Sequence, residues 1–173
     1  MTLPLCHLFT ALVSGPTGSG KTVFVFKLIE NARHSIDPPP HKITYCYGEY
    51  QHTFARYPNV VFRRGMPDIE DFDGSRPELL IIDDLMNELD ESVANLFTKG
   101  SHHHNVSVVL LVQNLFYKNP HIRTISLNSH YLVLCRSLKE PQRRSSNCKF
   151  IQTDVSHGLE ICCLLYTSDA ADE

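Results

Sequence analysis

The segment Gly15-Pro16-Thr17-Gly18-Ser19-Gly20-Lys21-Thr22 decides how the rest of the chain is interpreted. It matches G-x-x-x-x-G-K-[ST] in full, the pattern of a loop whose successive backbone N–H groups point at a phosphate. Residues 9–14 before it predict a strand, and apolar residues recur at helical spacing from 21 to about 33 after it. This context suits the motif because the helix N-terminus adds its positive dipole at the anion. We predict that residues 15–22 bind nucleotide phosphates, with Lys21 at the β and γ phosphates and the Thr22 hydroxyl on Mg²⁺. A glycine-rich turn with a surface lysine is the alternative.

A second stretch supplies carboxylates. The aliphatic run Leu79-Leu80-Ile81-Ile82 ends in Asp83 and Asp84. Such a run is typical of a strand covered on both faces, and open parallel sheets bind ligands at the carboxyl ends of their strands. We predict that Asp83 holds Mg²⁺, mostly through water, and that Asp84 polarises the water that attacks the γ-phosphorus. The alternative is that the two acids only cap the helix that follows.

A third stretch supplies amides. The run Val106–Val112 predicts another buried strand, which ends in Gln113 and Asn114. In P-loop ATPases with an additional strand between the loop strand and the acidic strand, an amide at its tip can orient water or sense hydrolysis. Gln113 is therefore a candidate catalytic residue, with a plain strand cap as the alternative. Arg123, farther along, could act as an arginine finger on a neighbouring subunit's nucleotide or form a surface salt bridge.

The whole chain alternates short β-rich runs with longer mixed segments, which predicts an α/β fold around a mostly parallel sheet. Further strands are predicted at 43–47, 59–62 and 130–135, and a helix at 87–99 that ends at Gly100. The 173 residues, with 42% hydrophobic and 20% charged residues and a net charge of −3, exclude collagen, coiled coil and wholesale disorder. The longest apolar runs fall far short of the ~20 residues that span a bilayer, and no signal peptide is evident.

We therefore expect a soluble intracellular protein with no membrane partner. The six cysteines form no Cys-x-x-Cys pair, which indicates free thiols in a reducing compartment. Acids dominate residues 66–92 and bases dominate residues 118–149, so the chain has either two solvated faces or a basic surface for phosphates.

Taken together, these stretches resemble the FtsK/HerA group of P-loop ATPases, in particular the genome-packaging ATPases of poxvirus-like viruses and of Polinton/Maverick-type elements. Residues 13–22, 80–86, 96–103, 112–116 and 123–131 carry the resemblance, which covers about residues 9–136. It implies a RecA-like core of the additional-strand type, assembled as a homo-oligomeric ring with ATP between subunits. It also implies hydrolysis coupled to the movement of double-stranded DNA into a preformed capsid. The choice of ATP over GTP rests on this resemblance.

The sequence also predicts the limits of the domain and leaves two alternative functions open. We assign residues 1–160 to one ATPase domain and expect the family's C-terminal segment to be cut short. Residues 161–173 resemble the translation of a sequencing adapter, so we expect them to be non-native and without function. A nucleoside or nucleotide kinase shares the loop motif but needs an acceptor pocket and an arginine-rich lid. A module that binds ATP without hydrolysing it, for assembly alone, is the non-enzymatic alternative.

Overall fold

The computed structural model describes residues 5–115, 118–136, 148–152 and 164–165. Its strands, in chain order, are β1 (Leu5–Cys6), β2 (Thr10–Ser14), β3 (Ile36–Asp37), β4 (Lys42–Tyr47), β5 (Val60–Arg64), β6 (Glu78–Asp83), β7 (Val106–Val112), β8 (Tyr131–Cys135), β9 (Cys148–Gln152) and β10 (Leu164–Leu165). Its α-helices are α1 (Lys21–Glu30), α2 (Ala32–Ser35), α3 (Glu91–Asn95), α4 (Ser101–His104) and α5 (Pro120–Asn128). Short 3-10 turns span His52–Arg56, Ile69–Asp71 and Met86–Glu88, and a π-helical turn, Leu96–Gly100, joins α3 to α4.

One sheet organises the described residues, in the order β10-β9-β8-β2-β7-β6-β4-β5. The six strands from β8 to β5 pair in parallel, whereas β9 and β10 add antiparallel pairs at one edge. A separate parallel pair joins β1 to β3. The predicted α/β fold with a mostly parallel sheet is confirmed, and β7 is the additional strand between the loop strand β2 and the acidic strand β6.

Both faces of this sheet are covered, which explains the unbroken aliphatic runs. Alternate residues of β2 show the arrangement: Ala11 and Val13 pack with α1, while Leu12 packs in a second cluster with α3 and α5. All seven residues of β7 are buried. The core therefore consists of two apolar layers, with α1 on one face of the sheet and α3 to α5 on the other.

The predicted helix over 87–99 differs from the structure. The chain first forms a 3-10 turn, and α3 begins only after Asp90, whose side chain accepts hydrogen bonds from the backbone N–H groups of Ser92 and Val93. Gly100 does not end the helix, because it keeps a right-handed helical conformation. Helical structure instead ends at Asn105, which adopts the left-handed conformation with φ of 51°. The prediction of one helix that ends at Gly100 is wrong for these reasons.

The cysteines follow the prediction only in part. Cys6 and Cys46 are free, but Cys6 is exposed. Cys135 is disulfide-bonded, so the expectation of a free thiol is wrong there. Its neighbour in the strand register is Cys148, on β9. Cys162 and Cys163 lie outside the described residues.

The remaining boundaries stay predictions. Within 161–173 the structure describes only Leu164–Leu165, which pair with β9, so the predicted non-native character of this segment falls mostly outside the described residues and stays a prediction. None of the helices in the described part of the chain combines the length and the apolar character needed to cross a membrane.

Candidate nucleotide-binding site

A cleft of about 210 Å³ opens at the carboxyl ends of four neighbouring strands. The register brings these ends together, because Ser14 pairs with Val112, and Asp83 has both Leu111 and Tyr47 as partners in the adjacent strands. The cleft is lined by the phosphate-binding loop and α1 (Thr17, Gly18, Lys21, Thr22), the segment after β4 (Tyr47, Gly48, Glu49, Tyr50, Gln51) and the ends of β6 and β7 (Asp83, Asp84, Leu111, Val112, Gln113). The predicted phosphate, metal and water-orienting residues thus meet at one place.

The loop has the backbone that an anion site requires. Gly20 is the N-cap of α1 with φ of 92°, a conformation that glycine adopts without steric cost. It offers no side chain to cap the helix, and the first turn of α1 contains no acid. The first N–H groups of a helix have no intrahelical acceptor, so those of α1 are available to a phosphate.

Gly15 and Ser19 sit in the tight base of the loop. A Cβ on Gly15 would lie 2.4 Å from the Cys135 carbonyl oxygen, so no larger residue fits against the end of β8. Ser19 is only 4% exposed, and its Oγ has no hydrogen-bond partner among the described residues. A buried hydroxyl without a partner is costly, and a ligand oxygen in the loop would satisfy it.

Lys21 is held by its own loop. Its Nζ donates hydrogen bonds to the carbonyl oxygens of Gly15, at 2.6 Å, and Pro16, at 3.1 Å. Desolvation lowers the pKa of Lys21, while the negative charges of Asp83 and Asp84 act in the opposite direction. The ammonium group therefore lies in a partly dehydrated cleft with two carboxylates, where a phosphate would replace neutral carbonyls as its partner.

Asp83 is buried at the end of β6, with 8% exposure. The hydroxyl of Tyr45 donates a hydrogen bond of 2.6 Å to its Oδ2. Desolvation raises the pKa of Asp83, and the charge of Asp84 adds to this effect, whereas the Tyr45 hydrogen bond and Lys21 oppose it. Burial and the nearby Asp83 also raise the pKa of Tyr45 far above its usual range, so the phenol remains a donor.

Asp84 turns away from the strand. Its φ of 57° is left-handed, a conformation that Asp tolerates better than most residues with a Cβ. Its Oδ1 accepts a 2.9 Å hydrogen bond from Gln113 Nε2. The 3-10 turn that follows has Leu85 at its N-cap and no side-chain capping bond. The acids therefore do not act as the cap considered above, and the Gln113 side chain contacts an acid of the cleft.

The donor set fits a magnesium ion that is shared with a nucleotide. Thr22 and Asp83 both line the cleft and offer a hydroxyl and a carboxylate oxygen. No group of three or more His, Cys, Asp and Glu able to hold a metal occurs in the residues that the structure describes. Mg²⁺ suits such a sparse protein set, because it keeps several waters and takes other ligands from substrate phosphates.

Arg123 does not lie with the others. It is exposed on α5 and does not line the cleft. Within the described ranges its guanidinium forms no salt bridge, so the surface ion pair considered above is not seen there. Its assignment as an arginine finger stays a prediction.

The sequence patterns alone do not single out Tyr45 or the segment from Tyr47 to Gln51. One feature of the sequence does point to them: the strand predicted at 43–47 would end at the same side of a parallel sheet as the strand that carries Asp83. The sequence alone does not give the strand order, which places β4 beside β6.

Comparison with known proteins agrees with this architecture. No protein-family model and no curated protein matches the chain. Among solved structures, a KaiC-like protein, PH0186, from the hyperthermophilic archaeon Pyrococcus horikoshii OT3 is similar with a TM-score of 0.53 and 12% identity, over 92% of this chain and 90% of that one. The P4 protein of bacteriophage phi6, in complex with ADP, has a TM-score of 0.48 and 15% identity, over 83% of this chain and 54% of that one. The strand order and the likeness to the KaiC-like protein show a RecA-like P-loop NTPase fold.

Proposed function

We propose that the protein is a Mg²⁺-dependent ATPase that drives double-stranded DNA into a capsid. The observation that carries the ATPase part is the meeting of Lys21, Thr22, Asp83, Asp84 and Gln113 around one cleft, at the ends of strands that are far apart in sequence. A glycine-rich turn with a surface lysine does not account for this convergence.

Binding is the task of the loop and α1. Lys21 exchanges its two carbonyl partners for oxygens of the β and γ phosphates, and the N–H groups at the start of α1 donate to the same groups. Thr22 and Asp83 would hold Mg²⁺, which would supply positive charge to neutralise the phosphate oxygens.

Hydrolysis is the task of Asp84 and Gln113. Asp84 accepts a hydrogen bond from the attacking water, and the Gln113 amide holds the Asp84 carboxylate in position. The water oxygen forms a bond to the γ-phosphorus, the bond from phosphorus to the bridging oxygen of ADP breaks, and the water proton passes through Asp84 to the released phosphate. Positioning and electrostatics supply the catalysis, because phosphoryl transfer leaves little covalent chemistry to the protein.

The motor part of the proposal, including ATP as the nucleotide, DNA and capsid components as partners and a homo-oligomeric ring, rests on the resemblance to packaging ATPases. The position of Arg123 supports a ring, because an exposed arginine outside its own cleft is available to the site of a neighbour. Such an arginine stabilises the charge of the transition state in trans.

ATP turnover with and without duplex DNA tests the motor. We expect duplex DNA to stimulate turnover, with a stimulation that falls steeply as salt is raised, because DNA binding releases counterions. Turnover that DNA leaves unchanged across low salt contradicts the motor while leaving the ATPase intact.

The same assay separates the two alternatives. Phosphoryl transfer to an added nucleoside without DNA supports a kinase. Slow single-turnover hydrolysis that Asp84→Asn does not change supports a binding module for assembly.

A further inference from the structure

Tyr45 takes no part in the chemistry above, yet its side chain contacts both elements that carry the metal-binding residues. It lies on β4, next to β6, and is 0% exposed. Its hydroxyl donates to Oδ2 of Asp83 at 2.6 Å. This bond fixes the position of one carboxylate oxygen and leaves Oδ1 and the second lone pair of Oδ2 as acceptors for a ligand.

The ring of Tyr45 contacts the helix that bears the second metal-binding residue. It stacks on Phe26 of α1, with ring centroids 5.6 Å apart and planes 7° apart. Phe26 follows Thr22 by four residues, so the two side chains lie on the same face of α1, one turn apart. The ring thus packs on the face of α1 that carries Thr22, one helical turn farther along.

Other aromatic rings hold Tyr45 in place. Phe54 and Phe62 lie 5.3 and 5.4 Å from its ring, measured between centroids. Phe26 in turn stacks on Tyr57 at 4.5 Å. Such pairs add to the stabilisation that burial alone provides. Tyr45 therefore has little freedom, and its hydroxyl meets Asp83 at a fixed point.

Packing alone does not require the hydroxyl, because phenylalanine would fill the same space. A buried hydroxyl is retained without cost only where it has a partner, and here that partner is Asp83. A group that fixes the orientation of a metal-binding side chain typically changes metal affinity by about 10- to 100-fold when it is removed.

We propose that Tyr45 is a positioning residue, which orients the Asp83 carboxylate relative to Thr22 and thereby sets the affinity of the site for Mg²⁺ in the presence of a nucleotide. This inference rests on the proposed function, since it assumes that Asp83 and Thr22 share the ion. It assigns Tyr45 no contact with the reacting atoms.

The test measures binding of ADP, with Mg²⁺ and with EDTA, to the full chain by calorimetry. In the wild type we expect Mg²⁺ to strengthen ADP binding. In Tyr45→Phe we expect this Mg²⁺ factor to fall about tenfold or more, with ADP binding in EDTA unchanged within about twofold. Tyr57→Phe is the matched control, because it also removes a hydroxyl from a ring that stacks on Phe26, but one bonded to Glu30 outside the cleft. It should keep the wild-type factor.

The outcomes separate the two proposals. A wild type in which Mg²⁺ does not affect ADP binding overturns the proposed metal site itself. A wild-type Mg²⁺ factor that Tyr45→Phe retains, or an equal weakening of ADP binding with and without Mg²⁺, overturns only the role of Tyr45. Phe26→Leu keeps the hydroxyl and removes the stacked ring, and provides a second variant should Tyr45→Phe not fold. It should lower the factor by a smaller amount, and an unchanged factor contradicts the role of the stack.

Discussion

Polar side chains gather at both ends of the parallel strands, which we call the amino edge and the carboxyl edge. At the amino edge these side chains bond to one another, whereas at the carboxyl edge several are left with bonds to make. At the amino ends of β2 and β7, His7 Nε2 donates to Asn105 Oδ1 at 3.0 Å, and its Nδ1 accepts from Ser107 Oγ at 2.8 Å. Ser107 Oγ also accepts from the Leu8 N–H at 3.1 Å. Every group in this network has a protein partner.

The carboxyl edge is different. Within the described part of the chain, Lys21 donates hydrogen bonds only to carbonyls of its own loop, and the buried Ser19 hydroxyl has no partner. The Asp83 carboxylate has one oxygen satisfied by Tyr45. Polar groups that satisfy each other fasten the fold, whereas groups left incomplete around a cleft are available to a ligand. The hydrogen-bonded group of His7, Asn105 and Ser107 at the amino edge therefore stabilises the fold. Ser107 is 0% exposed, so it is not accessible to a ligand.

The difference between the two edges predicts its largest effect, a loss of ATP turnover, for a substitution of Asp84 at the carboxyl edge. Asp84→Asn should lower ATP turnover by about 100-fold, because the amide is a poor acceptor for a water proton. Asn also tolerates the left-handed backbone, so the fold should remain intact. Steady-state turnover and ATP binding by calorimetry check this. Asp90→Asn, the same change at a helix cap outside the cleft, should leave turnover unchanged. Equal turnover in the two variants would remove Asp84 from the mechanism.

A smaller effect on the same chemistry is expected at Gln113. Gln113→Ala removes the donor to Asp84 Oδ1, and we expect about a tenfold loss of turnover with ATP affinity nearly unchanged. The separation of turnover from affinity is the informative part. A loss of affinity alone would mean that Gln113 binds the nucleotide and does not orient Asp84.

At the amino edge, a substitution is expected to change stability and not turnover. Ser107→Ala leaves the Leu8 N–H and the Nδ1 of His7 without their partner, which should lower the free energy of unfolding by about 1–3 kcal/mol. Turnover per folded molecule should stay within about twofold of wild type. Ser126→Ala, on an exposed part of α5, is the control and should cost less than about 0.5 kcal/mol. Denaturant unfolding measures both, and a selective loss of turnover in Ser107→Ala would contradict the contrast.

The smallest expected effect is a pH dependence of stability that arises at the amino edge. His130 Nδ1 accepts a 3.0 Å hydrogen bond from the Thr10 N–H, which requires the neutral ring. Desolvation lowers the pKa of His130 below 6.5, and the charge of His102 adds to this effect. The unfolded chain therefore binds the proton first as pH falls, so stability should decline below about pH 6.5 and stop declining once the folded protein also protonates.

Unfolding midpoints at pH 7.5 and 5.5 test this prediction. His130→Asn retains an acceptor near the position of Nδ1 and does not titrate, so its decline between the two pH values should be smaller than that of the wild type. An equal decline in both proteins would assign the pH dependence to other groups.

Local patterns were enough to predict the loop, its strand and helix, and the runs that form β6 and β7. These features depend on neighbouring residues and on burial of both strand faces, which leave a clear signature. The π-helical turn Leu96–Gly100 and the disulfide at Cys135 depend on contacts that close only in the folded chain. Helix α5 begins with Asn119 and Pro120, a cap and first-turn pair typical of a helix start, although we predict no helix there from the sequence. Tyr45 could not be assigned, because its role depends on β4 lying beside β6.

One measurement tests the central claim most directly: ATP turnover by the wild type with Mg²⁺ and with EDTA, compared with Lys21→Ala and with Lys27→Ala. Lys27 lies on the same helix and does not line the cleft. We expect turnover that requires Mg²⁺, is lost by about 100-fold or more in Lys21→Ala and is unchanged in Lys27→Ala. Turnover that persists in EDTA, or that the two lysine variants retain equally, would contradict a nucleotide site at this cleft.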